Sequence, residues 1–84
     1  MGVVKRYLDQ TPVDPELVRQ IRLEVSQSIS ELAGISLDEA CLVFDQSFLA
    51  QTVATRPWPV LHETADYWAR LVLDRQGFRI PYEA

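Results

Sequence analysis

One histidine, one cysteine and three glycines are all this 84-residue chain has of the residues from which compact active sites are most often built. With Cys41 alone, no intrachain disulfide forms, and a cytoplasmic setting is expected. Three scattered glycines leave no loop to cradle a phosphate. Because His62 is the sole imidazole, the serines have little choice of base, and none lies in a nucleophile-elbow pattern. No apolar run is long enough to span a bilayer, and the N-terminus lacks the apolar segment of a signal peptide. Arg6 stands where a myristoylation signal requires Ser or Thr.

Cations are also scarce where they would matter. The net charge is −4, and residues 24–69 carry seven acids against Arg56 alone. Such a stretch repels phosphate and offers no row of cations to release counterions, so neither nucleic acid nor a membrane is an expected partner. A partner protein with a basic surface matches it better. The simplest role of the same charge is a solvated face that keeps the chain soluble.

What is present reads as one small helical domain over residues 1–84. Apolar residues make up 48% and charged residues 24%, a globular balance. A chain this short buries only roughly 60% of its unfolded surface, which leaves little core from which to carve an enclosed pocket. Asp14-Pro15 is an N-cap followed by a proline at the first helical position. Leu17, Ile21, Val25, Ile29 and Leu32 then form one apolar stripe, and Gly34 supplies a left-handed stop. The first helix is therefore placed at about 15–33.

Ser36 and Glu39 spell a capping box, with Ile35 and Ala40 positioned as its hydrophobic staple. They open a second helix at about 36–54, which ends before Pro57 and Pro59. Leu37, Cys41, Phe44 and Phe48 form its main stripe, and Cys41 is read there as a small buried residue. Leu42, Leu49 and Val53 form a second stripe, about 120–140° away on a straight helix. A third helix, at about 60–76, places Leu61, Ala65, Trp68 and Val72 on its apolar face and stops at Gly77. The fold class is all-α, a bundle of three main helices. The head "VVKRYL" and the tail "FRIPYEA" alternate in polarity, as a two-stranded ribbon or an irregular cover over the bundle would.

The stretch "HETAD" is the one that resembles chemistry. In H-E-x-x-H, two histidines four apart share a helix face and bind zinc. Asp66 stands here in the second position, a third protein ligand is missing, and an acidic first turn is already favoured by the helix dipole. No catalytic residue, metal or cofactor is assigned, and the chain is read as a non-enzyme. A small metal-dependent enzyme built on this stretch is the least favoured alternative.

"SLDEA", a mid-helix Phe44, and "PVLHET" followed by "DYW" together resemble a family of short bacterial helical proteins of unknown function. The resemblance covers about residues 17–75. Genes of that family lie near those of ADP-ribosyltransferase-like toxins, which implies an antitoxin or accessory role. The residues themselves lead to a similar place. The second stripe, Leu42, Leu49 and Val53, together with Trp58 between its two prolines, is expected to provide apolar contact with a protein partner. Glu31, Asp38, Glu39 and Asp45 are expected to steer a basic surface toward it. The alternative is a homo-oligomer using the same stripe on itself.

Overall fold

Asp14 sets the first helix in register. Its Oδ1 accepts the Glu16 backbone N–H at 3.0 Å, with Pro15 at the first helical position. In the computed structural model, which describes residues 13–77, helix α1 then runs Pro15–Ala33. It ends at Gly34 with φ +70°, and the N–H groups of Gly34 and Ile35 both reach the Ser30 carbonyl, at 2.9 and 3.2 Å. Ser30 Oγ donates back to the Ile35 carbonyl at 2.6 Å. A side chain at position 34 would meet no atom within 4 Å. Glycine is therefore favoured there by the left-handed backbone and not by crowding.

Helix α2, Leu37–Asp45, opens on the expected reciprocal cap. Ser36 Oγ accepts the Glu39 N–H at 3.1 Å, and Glu39 Oε1 accepts the Ser36 N–H at 3.2 Å. Two features then depart from a three-helix bundle. The expected helix 36–54 is broken, with α2 ending at Asp45 and α3 running Phe48–Thr55. The expected helix 60–76 is a 3-10 turn, Trp58–His62, followed by α4, Ala65–Arg75.

The first break has a geometric cause. Ala40 and Phe44 of α2 are buried, and so are Leu49 and Val53 of α3. Phe44 to Leu49 is five residues, which on an unbroken helix would turn them about 140° apart. Gln46 and Ser47 interrupt the helix, and both pairs then face α1. The Ser47 N–H reaches the Phe44 carbonyl at 3.0 Å, and Ser47 Oγ donates to the same carbonyl at 2.6 Å. Leu37 and Phe48, expected on the inward stripe, are on the surface instead, and Arg75 lies 4.6 Å above the Phe48 ring.

Helix α1 is the spine, packing chiefly against α2 and α4. Its buried Ile21, Val25, Ile29 and Leu32 meet Ala40, Phe44, Leu49, Val53, Val60, Ala69, Val72 and Leu73 in one core. Ser26 is also fully buried, and its hydroxyl has no hydrogen-bond partner among the described residues. On the surface, Arg22 clamps Asp45 with two 2.8 Å bonds, from Nε and Nη2, tying the end of α2 to α1. Gln76 Nε2 donates to the Val43 carbonyl at 3.2 Å and ties α4 to α2. All regular structure among the described residues is helical. The expected ribbon of head and tail lies outside them.

Candidate binding surface

Pro57 and Pro59 shape the corner between α3 and α4. Neither has an N–H to continue a helix, and the chain tightens into the 3-10 turn Trp58–His62. Residues three apart eclipse in such a turn. Pro57 and Val60 therefore face the core together, and both are buried. Trp58 and Leu61 face away from it together, 41% and 55% exposed.

The inner side of this turn is held by α4. Trp68 Nε1–H donates to the Val60 carbonyl at 2.7 Å, and Trp68 itself packs partly buried against the core. Thr64, not an earlier residue, caps α4: its hydroxyl accepts the Tyr67 N–H at 3.1 Å. Tyr67, 46% exposed, meets Trp68 edge to face with ring centroids 5.0 Å apart. The result is an exposed apolar corner of Trp58 and Leu61 on a backbone that is fixed from behind, with Tyr67 exposed separately at the start of α4.

Beside this corner runs a groove between α1 and the turn. Ile21, Glu24 and Val25 form one wall, and Val60, Leu61, Glu63, Ala65 and Trp68 form the other. Its cavity volume, about 30 Å³, holds about two waters or the tip of a side chain. A metabolite-sized site would be roughly ten times larger or more.

The start of α4 at Ala65 also redraws "HETAD". His62 ends the 3-10 turn and Glu63 is extended, so neither shares an α-helical face with Asp66. Asp66 Oδ2 instead accepts from Arg70 Nε at 3.0 Å, one turn along α4. Among the described residues, no three His, Cys, Asp or Glu side chains gather closely enough to hold a metal ion.

The expected partner-binding residues are scattered. Leu42 is 59% exposed on α2, but Leu49 and Val53 are fully buried. This corrects the second stripe: the break at Gln46-Ser47 turns its lower half into core, so those two residues do not present an outer face. Trp58 lies on the surface as an interface residue must. Glu31 and Asp38 are exposed, Glu39 is occupied in the cap of α2, and Asp45 is occupied by Arg22. The Arg22 hydrogen bond holds the Asp45 carboxyl below its ordinary pKa, with the opposite charge adding to it against partial desolvation. The same pair raises Arg22. Leu61, expected inside, is outside because it precedes the α-helix.

The groove carboxylates Glu24 and Glu63 were not among the expected contact residues. They come from distant stretches of chain; Glu63 stands in "HETAD", read there only as a metal-like motif, and Glu24 has no local motif to mark it. Among the described residues, no helix is long and apolar enough to cross a membrane. No family model, curated protein or solved structure matches this chain.

Proposed function

We propose that this protein is a non-catalytic binding module that recognises another protein through the corner formed by Trp58 and Leu61. The role is that of an antitoxin or accessory subunit acting in a bacterial cytoplasm, as the resemblance in "SLDEA" and "PVLHET" implies. One observation carries the binding reading: two large apolar side chains project from a turn whose opposite face, Pro57 and Val60, is locked in the core. An aromatic held this way loses little conformational freedom on contact and buries a large area, as interface anchors do. Exposed Leu42 is a separate apolar contact point on α2, and the surplus of acid favours encounter with a basic surface.

The reading is tested with a photo-crosslinking residue at position 58 in the native host, and a control at exposed Gln27. A discrete protein adduct at 58, absent at 27 and lost in Leu61→Ser, is the expected result. No adduct at 58, or the same adducts at both positions, overturns it. An adduct with a second copy of this chain would make the protein a homo-oligomer docking by the same corner.

A further inference from the structure

The described cations are mostly committed within the fold. Arg19 pairs with Glu16, Arg22 with Asp45 and Arg70 with Asp66, while Arg75 lies over Phe48. Glu24 and Glu63 are left without a cation among the described residues. Glu24 receives only a 3.3 Å bond from Gln20 Nε2. Both carboxylates line the same groove, and Trp68 and Leu61 line it with them. The Trp68 ring is fixed at its N–H by the Val60 carbonyl and lies edge to face with the Tyr67 ring.

Resting on the binding reading above, we infer that this groove receives an arginine side chain from the partner protein, flanked by an apolar residue that lies on the Trp58–Leu61 corner. Two carboxylates beside an apolar, aromatic wall complement a guanidinium on a hydrocarbon stem. The stem lies along Ile21 and Leu61, and the head reaches the carboxylates and the indole. Arginine suits the site better than lysine, because its planar head stacks on an aromatic while it forks to carboxylate oxygens. The small cavity volume admits a side-chain tip and little more. A partner segment fits these limits, and the acidic rim selects the basic one.

The probe is a five-residue acetylated and amidated peptide with one arginine between leucines. It is titrated into the full-length isotope-labelled protein while amide and indole resonances are followed. Matched peptides carry lysine or uncharged citrulline in place of the arginine. The expected result is a shift of the Trp68 indole resonance and of the Glu24 and Glu63 amides, strongest with arginine, weaker with lysine and lost with citrulline. The double variant Glu24→Gln, Glu63→Gln should weaken the arginine peptide about tenfold, as loss of two partly exposed charge pairs implies. Both positions are on the surface, so the rest of that variant's spectrum should be unchanged. Equal shifts with citrulline, shifts confined to Leu42 or other sites away from the groove, or no shifts at all would overturn the proposal. If the crosslink at position 58 persists in such a case, only the arginine groove fails. If the crosslink fails as well, the binding reading falls with it.

Discussion

Residues 14–39 and residues 44–65 use different means to decide where helices stop. In the first region each end carries its own side-chain signal: Asp14 and Pro15, Gly34, then Ser36 with Glu39. In the second, α3 begins at Phe48 with no side-chain cap, because the hydroxyl of the preceding Ser47 is turned back onto Phe44. Its break is imposed by the core, which needs both Phe44 and Leu49 inside. Local chemistry places the first set of ends, as Pro57 and Thr64 do later in the chain, while long-range packing places the break at Gln46-Ser47. The surface that results differs too. The first region is capped and solvated, while the second ends in a rigid apolar corner.

The comparison is sharpened first by cutting into the packed region. Leu49→Ala should destabilise the protein by about 2–5 kcal/mol, the usual range for truncating a fully buried leucine. Chemical denaturation measures this directly. A change near zero would place Leu49 on the surface and restore the outward stripe.

A cap in the signposted region should matter less. Ser36→Ala is expected to cost about 0.5–2 kcal/mol, through loss of the Glu39 N–H bond. Denaturant melts should show a lower midpoint with an unchanged slope. A loss as large as that of Leu49→Ala would mean that the cap is not a local device.

The smallest effect belongs to the clamp between the regions. Asp45→Asn should cost about 1 kcal/mol or less, since both partners of the pair are substantially exposed. Its pH dependence has a definite sign. The folded-state pKa of Asp45 is lowered, so its contribution is present above the unfolded-state value, near 4, and is lost as pH falls through the folded value. Melts of wild type and Asp45→Asn should therefore converge toward low pH. Equal separation at every pH would show that the carboxylate charge is not what stabilises the clamp.

Much of the fold was legible because α1 and the start of α2 announce themselves in short motifs. The stop before Pro57 was legible for the same reason. The break at Gln46-Ser47 was not, because a helix with two stripes is equally compatible with an interface and with a change of direction. Nor was the clamp, whose partners Arg22 and Asp45 lie on separate helices. At the corner, Trp58 between its prolines was compatible with either core or partner contact, and it is the burial of Pro57 and Val60 that turns it outward. Leu61 was misplaced because its periodicity continues into α4, while the helix itself waits for Thr64. The groove depends on Glu24 and Glu63 being brought together by the packing of α1, and periodicity within either segment carries no sign of it.

The account depends most on the corner, with Trp58 turned out to solvent and Trp68 holding it from within. Acrylamide quenching of two single-tryptophan proteins, Trp68→Phe and Trp58→Phe, tests that arrangement directly, once circular dichroism shows both are folded. Trp58 should be quenched readily and emit at longer wavelength. Trp68, shielded by Val60 and Tyr67, should be quenched less and emit to the blue. The reverse order, or equal quenching of the two, would contradict the account.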